Sequence, residues 1–345
     1  MNKRKKQKII INIDRIDKLE LNIKDQDIFI PIYNPNKYVT ITNDLEKINF
    51  DFIDDSIPIY KSEDRKKLIK KKILILSGGG VKGIAHIGAL KALMENHILD
   101  TVDTIVGSSI GAIVGTLYVL GITPDEMFDF VKAFDLTKIK SVHMFDFIQK
   151  YGFDNGIKLE FLLYNLFLLK DTKFDITFRE LFEKTKKKLI MTTTCVNDKK
   201  VRYLSYETEP DMPVVTALRM STSIPLFYTP VNHQGMMYID GGCIDNYPIN
   251  LFNDRLDEVI GIYLTDIRSV CQTIGNLESY LFNVIQCLME GVTFNSTKGY
   301  EKYTISVKLD QVNLANFKID LDKKITTYKA GYDSVINYLK INSNC

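Results

Sequence analysis

A serine and an aspartate, each set among glycines, are the residues of this chain whose surroundings suit nucleophilic chemistry. Ser109 lies in Gly107-Ser108-Ser109-Ile110-Gly111, a G-x-S-x-G pentapeptide that directly follows an apolar β run and opens a helical one. A nucleophile elbow needs this context, because a sharp strand-to-helix turn leaves no room for β-carbons beside a serine held exposed near the positive end of a helix. Asp240-Gly241-Gly242 offers a carboxylate on a tight turn at the end of the apolar strand Met236 to Ile239, where open α/β sheets place their sites. A carboxylate with a pKa of about 3.9 is a feeble base in water and a better one when desolvated beside a hydroxyl. None of the histidines, His86, His97, His143 and His233, lies beyond Asp240. A Ser, acid, His order therefore fits only if His233 follows an acid such as Asp211. Each motif also has a plain structural reading, as a Gly/Ser turn or a DGG turn without chemistry.

A third glycine cluster, Ser77-Gly78-Gly79-Gly80-Val81-Lys82-Gly83, also joins a strand to a helix. Such a loop converges backbone N–H groups on an anion. Gly78, Gly80 and Gly83 satisfy the G-x-G-x-x-G spacing of a dinucleotide site, but the ribose-binding acid should end the second strand, whereas Asp100 and Asp103 precede it and Gly107 occupies the end. A P-loop would need Lys and Ser or Thr after Gly83, where Ile84 stands. An oxyanion hole suits the same loop, since a tetrahedral intermediate is also an anion.

The elements that must position these groups are legible as short apolar runs and helical periods. Strands are expected at Ile73 to Leu76, Thr104 to Val106, Leu189 to Val196, Val201 to Tyr206, Met236 to Ile239 and Glu258 to Leu264. Helices are expected at Ile84 to Met94, at Ile110 to Leu120, from a Thr123-Pro124-Asp125-Glu126 cap to about Phe134, after the Thr177 to Glu180 capping box, and from Pro213. Ile157 to Leu169 is apolar around its whole circumference and must be buried or face acyl chains. Residues 1–70, rich in Asp, Lys, Asn and Ile, read as an accessory region, 71–264 as the α/β domain, and 265–345 as a mainly helical extension packed on that domain, with one strand near Thr304 to Leu309.

Composition bounds the function. The chain of 345 residues is 45% apolar, enough for a full core. Its net charge of +2 leaves no field suited to coating nucleic acid. Basic runs at 2–8 and 65–72 have two readings, as solvated surface or as contacts for anionic head groups. The five cysteines are odd in number and widely spaced, so reduced thiols and no structural metal are expected. With no signal-peptide core and no run of about eighteen apolar residues, the expectation is a cytoplasmic protein that meets membranes peripherally.

The ordered set Gly78 to Gly83, Gly107 to Gly111 and Asp240 to Gly242 resembles the patatin-like phospholipase family over roughly residues 73–264. Ala217-Leu218-Arg219-Met220-Ser221-Thr222-Ser223-Ile224-Pro225-Leu226-Phe227 resembles its A-x-x-A-S-x-x-x-P-x-x-F stretch, with Met220 in place of a small residue, and Asn246 and Pro248 match an N-x-P ending. The resemblance implies a three-layer α/β/α fold with a central, mostly parallel sheet. It implies Ser109 as nucleophile, Asp240 as general base and an oxyanion hole from Gly78, Gly79 and Gly80, with Gly79 and Gly80 at its core. Lys82, Gly83, Gly107, Gly111 and Gly241 would support them, with no calcium, metal or other cofactor. Lys82 either steadies the loop or attracts a lipid phosphate, or is a surface lysine at a helix start. The implied substrate is a membrane phospholipid or lysophospholipid, cleaved at a fatty-acyl ester. Two rivals stay open: a nucleotide-binding α/β protein that uses the glycine loop, and a catalytically silent lipid-binding relative.

Overall fold

The short apolar runs after residue 70 become the inner strands of one eight-stranded sheet. The computed structural model describes residues 8–11, 39–42, 71–141, 144–267, 274–293, 296–310 and 318–343. Most of the expected accessory region, most of both basic runs, His143, Cys271 and Cys345 lie outside these residues.

Strands β1 (Lys8–Ile11) and β2 (Val39–Thr42) pair antiparallel with each other. Then come β3 (Ile73–Leu76), α1 (Ile84–Glu95), β4 (Thr104–Ser108), α2 (Ile110–Val119), α3 (Pro124–Ala133), α4 (Met144–Lys150), β5 (Gly152–Asp154) and α5 (Ile157–Leu168). They are followed by α6 (Phe178–Thr185), β6 (Lys188–Cys195), β7 (Lys200–Leu204), α7 (Val214–Ser221), β8 (Leu226–Tyr228), β9 (Val231–His233) and β10 (Met236–Asp240). The chain closes with β11 (Val259–Ile267), α8 (Leu277–Thr293), β12 (Thr304–Asp310) and α9 (Leu321–Ser343). Both expected capping boxes form: the side chains of Thr123 and Thr177 accept from the amides of Glu126 and Glu180, whose carboxylates reach back to the cap amides.

The sheet runs β12-β11-β3-β4-β6-β10-β9, with β7 also on β6. From β12 to β6 every pair is parallel; β10, β9 and β7 are antiparallel. One junction sets up the site. Ser108 of β4 pairs with Thr192 of β6, while Asp240 of β10 pairs with the next residue, Thr193. The opposite edge of β6 over these residues is taken by β7. β4 and β10 therefore share one edge of β6 and meet head to head, with their C-terminal ends converging.

The sheet is flanked on both faces in an α/β/α arrangement, and the two outer layers are unequal. Leu74 and Leu76 of β3 face the main core with α1, α2, α5, α7 and α9. Ile73 and Ile75 face a smaller cluster closed by Tyr247, Ile249 and the short 3-10 turn Ile249–Phe252. α1 is buried on all sides because α9 lies across it, and the crossing is close. A β-carbon on Gly88 would come within 1.9 Å of the Tyr328 carbonyl oxygen. The boundary expected at 264 falls inside β11. The segment beyond it is part of the same body: β12 forms the edge of the sheet beside β11, and α9 packs on α1.

Candidate active site

Ser109 stands between β4 and α2 with φ 52° and ψ −121°, in a half of the conformational map that costs a non-glycine residue about 1–3 kcal/mol. The turn is held there by packing. A β-carbon on Gly107 would lie 2.5 Å from the Ala112 backbone, and one on Gly111 would lie 2.3 Å from the Leu76 carbonyl oxygen, so neither position admits a side chain. The buried Ser109 N–H donates to Ser221 Oγ at 3.0 Å. Ser221 belongs to the A-x-x-A-S-like stretch, and its hydroxyl fixes the elbow, a role that the motif alone did not reveal.

Asp240 is fully buried, and its two oxygens are committed separately. Oδ2 accepts from Ser109 Oγ at 2.6 Å, and Oδ1 accepts from the Gly242 N–H at 2.7 Å. The Asp240 N–H donates to the Ser223 carbonyl at 2.9 Å. Burial raises the carboxyl to about 6, against the opposing hydrogen bonds from Ser109 and Gly242. Gly241 lets this turn lie on β6, since a β-carbon there would come 2.3 Å from Thr192 Oγ1. The arrangement can take a proton from the serine hydroxyl near neutral pH without a histidine.

The glycine loop meets the same elbow. A β-carbon on Gly83 would lie 2.1 Å from Ile110 Cγ1, so the loop and α2 touch directly. Gly80 has φ 53°, a conformation in which a side chain is strained. Of the three glycines expected at an oxyanion hole, Gly78 has its N–H donated to the Asn246 carbonyl at 3.2 Å. Among the described residues the amides of Gly79 and Gly80 have no such acceptor. Asn246 also places Oδ1 where a Gly78 side chain would go, 2.1 Å from an added β-carbon. Below the loop, His86 is fully buried with Nε2 2.8 Å from the Ser77 carbonyl, and burial lowers its pKa to about 4. Ser77 Oγ in turn accepts from the Leu264 N–H at 2.9 Å. Lys82 is 5% exposed, which corrects the surface-lysine reading.

The alternative triad does not assemble. His233 pairs with Met236, at the other end of β10 from Asp240, about 13 Å along the strand at about 3.3 Å per residue. Asp211 is ion-paired with Arg179 at 3.3 Å on the surface. Asp103, the nearer acid for a dinucleotide reading, accepts from Thr104 and lies 3.8 Å from Lys72. The described residues hold no group of three or more His, Cys, Asp or Glu able to bind a metal ion. Cys195, Cys243 and Cys287 are free thiols.

Beside Ser109 and Gly80 opens a cavity of about 170 Å³ walled mainly by apolar side chains of α1, α2, α3 and α5. α5 is buried in the core: Phe167 is fully buried, and Leu159, Leu162, Leu163 and Leu166, buried as well, also line the cavity.

This architecture is similar to that of VipD from Legionella pneumophila, whose crystal structure superposes with a TM-score of 0.52 at 18% identity over 79% of this chain and 67% of that one. A family model for patatin-like phospholipase matches residues 74–253. An uncharacterized protein of Acanthamoeba polyphaga mimivirus is 31% identical over 291 residues, 78% of this chain and 95% of that protein. The chain belongs to the patatin-like phospholipase family and is a hydrolase of that class. A probable lipid hydrolase of Invertebrate iridescent virus 6 is 33% identical over 183 residues, 52% of this chain and 62% of the viral protein. A lysophospholipase of Aspergillus fumigatus is 28% identical over 200 residues, 57% of this chain but 12% of that much longer protein.

Proposed function

We propose that the protein is a serine lipid acyl hydrolase of phospholipase A or lysophospholipase type, cleaving fatty-acyl esters through Ser109 and Asp240. The observation that carries this reading is the 2.6 Å hydrogen bond from a strained, elbow-borne hydroxyl to a fully buried carboxylate raised to about 6. Asp240 takes the proton as Ser109 Oγ adds to the ester carbonyl, and the tetrahedral oxyanion is met by the Gly79 and Gly80 amides. Collapse returns the proton to the departing alcohol and leaves an acyl-enzyme. Asp240 then activates water, and fatty acid leaves. Nucleophile, base and anion donors all come from the chain, so the proposed cycle is calcium-independent. Lys82, Gly83, Gly107, Gly111 and Gly241 hold the three turns together.

The substrate side of the reading is a membrane phospholipid or lysophospholipid met peripherally from the cytoplasm. It is supported by α8, where Leu277, Tyr280, Val284, Leu288 and Val292 are all exposed and fall on one helical face. The same helix carries Met289, whose Cε would lie 2.7 Å from a β-carbon on Gly242, next to Asp240. No helix among the described residues is long and apolar enough to cross a membrane. The free thiols fit a reducing compartment. Residues 1–70 are assigned as an accessory region to the hydrolase body.

A fluorophosphonate probe tests the nucleophile. Labelling of wild type and its loss in Ser109→Ala is the expected result; equal labelling of both would overturn the assignment.

A further inference from the structure

The A-x-x-A-S-like stretch contains a segment that touches both Ser109 and Asp240. Ser221 Oγ accepts from the Ser109 N–H at 3.0 Å, and the Ser223 carbonyl accepts from the Asp240 N–H at 2.9 Å. Both bonds use main-chain groups and leave the hydroxyl and the carboxylate to each other. The run from Ser221 to Ser223 is therefore a spacer between the elbow and the Asp240 turn, and its placement sets how the two side chains face. α7 itself ends at Ser221, so something besides the helix must hold Ser223.

Arg219 holds it. Ser223 Oγ donates to the Arg219 carbonyl at 2.7 Å and accepts from Arg219 Nη1 at 3.2 Å, so one residue grips the hydroxyl with its main chain and with the end of its side chain. Ser223 is fully buried and Arg219 is 2% exposed. On its other side the guanidinium is anchored to the segment that opens α5: Nη2 donates to the Asn155 carbonyl at 3.2 Å. The Tyr228 ring lies beside it, 5.2 Å from Cζ to the ring centre. Gly156 makes room for the group, since a β-carbon there would lie 2.3 Å from Arg219 Cζ.

Taking a guanidinium out of water is unfavourable unless carboxylates answer it closely, and a well-packed apolar side chain avoids that cost. The carboxylates around Arg219 answer it only in part. Glu160 Oε1 is 3.4 Å from Nε, which makes no hydrogen bond, and the Glu160 side chain is 36% exposed. Buried Asp154 commits its oxygens to the Ser141 and Gly156 amides at 2.6 and 2.8 Å. What an apolar side chain or the point charge of a lysine cannot do is reach Asn155 and Ser223 together with a planar fork.

We propose that Arg219 is a positioning residue of the hydrolase: by tying Ser223 to the segment that opens α5, it keeps the Asp240 turn at hydrogen-bonding distance from Ser109. The role rests on Ser109 and Asp240 being the reacting pair, as proposed above. Arg219 touches neither reacting atom and acts through Ser223. A misplacement of about 1 Å can cost about 10²-fold in rate, so its loss is felt in kcat and not in KM.

The test uses the full chain and p-nitrophenyl butyrate, with kcat and KM measured for wild type, Arg219→Lys, Ser223→Ala and the double variant. Arg219→Lys keeps the charge and loses the fork. Each single variant is expected to lower kcat at least about tenfold with KM within about threefold of wild type. Because both break the same link, the double variant should be at most about threefold slower than the slower single one, whereas independent effects would multiply to about 10²-fold or more. Thr304→Val, which deletes a buried hydroxyl 2.9 Å from Tyr247 Oη, controls for lost stability and should keep kcat within about twofold. A kcat within about twofold of wild type in either single variant, multiplied effects in the double variant, or an equal loss in Thr304→Val would overturn the proposal. Should Arg219→Lys not fold by circular dichroism, Ser223→Ala decides alone on the same kcat criterion. Ser109→Ala keeps the two readings apart. If it turns the ester over as fast as wild type, the reading of the reacting pair fails; if it is inactive while Arg219→Lys and Ser223→Ala keep full kcat, only the positioning role fails.

Discussion

Ser109 Oγ and Asp240 Oδ2 are 2.6 Å apart although 131 positions separate them in the chain. Their meeting is a property of the sheet. β4 runs parallel to β6 and β10 antiparallel to it, and the two end on neighbouring residues, Thr192 and Thr193, of one edge of β6. Whatever follows β4 and whatever ends β10 must face each other. The elbow glycines and the Asp240-Gly241-Gly242 turn then set a serine hydroxyl against a carboxylate where the two strand ends face each other.

The first expectation concerns the pH dependence of turnover. Asp240 must be ionised to accept a proton, and its carboxyl is raised to about 6. The acidic limb of kcat/KM should therefore fall about tenfold per pH unit below about 6 and level off above it. Asp240→Asn should lose at least about 10³-fold at all pH values. Initial rates on a soluble ester from pH 4 to 8 check both.

The same carboxyl acts on stability with the opposite preference. An acid whose pKa is raised by folding binds its proton more tightly in the native state, so folding is favoured below the ordinary value of 3.8 and weakened as pH rises to about 6. The weakening amounts to about 3 kcal/mol at most for this fully buried group, at about 1.4 kcal/mol per unit. Asp240→Asn lacks it. Denaturant titrations at pH 3.5 and pH 8 should show the variant gaining on wild type at the higher pH; parallel behaviour of the two proteins would contradict the assigned environment.

Ser221→Ala removes the acceptor for the Ser109 N–H while leaving Ser109 and Asp240 in place. An unpaired buried N–H costs about 1–3 kcal/mol, and the strained elbow loses a restraint. The expected outcome is lower thermal stability together with a roughly tenfold fall in kcat and a KM within about twofold of wild type.

On α8, Leu288 is 67% exposed. Leu288→Glu should leave hydrolysis of a soluble ester within about twofold of wild type and reduce sedimentation with phospholipid vesicles at least about fivefold, as expected for an apolar face that enters an interface. Equal sedimentation would assign the stripe another role.

Much of the site was legible because its signals are local. Strand, glycine-rich turn and helix follow one another within a few residues at Ile73 to Ile84 and again at Thr104 to Ile110, and periodicity reads such units well. What escaped depends on pairings between distant segments. The Gly78 amide finds its acceptor in the carbonyl of Asn246, far along the chain. The role of Ser221 depends on where α7 ends beneath the elbow, which no spacing within Ala217 to Phe227 encodes. The placing of the C-terminal strand has the same character: residues 304–310 look like an isolated strand in sequence, yet their parallel partner is β11, more than thirty positions earlier. α5 shows a different limit, since an apolar circumference reads identically whether a side chain meets only the core, as Phe167 does, or also a cavity, as Leu159 does.

The central claim, that Ser109 and Asp240 hydrolyse acyl esters of membrane lipids, is tested most directly by mass spectrometry of a mixed membrane-lipid extract incubated with wild type, Ser109→Ala or Asp240→Asn. The account predicts free fatty acid and the matching deacylated lipid from wild type alone, with folded but inactive variants. Fatty acid released equally by wild type and Ser109→Ala, or no acyl product from a folded wild type, would contradict it.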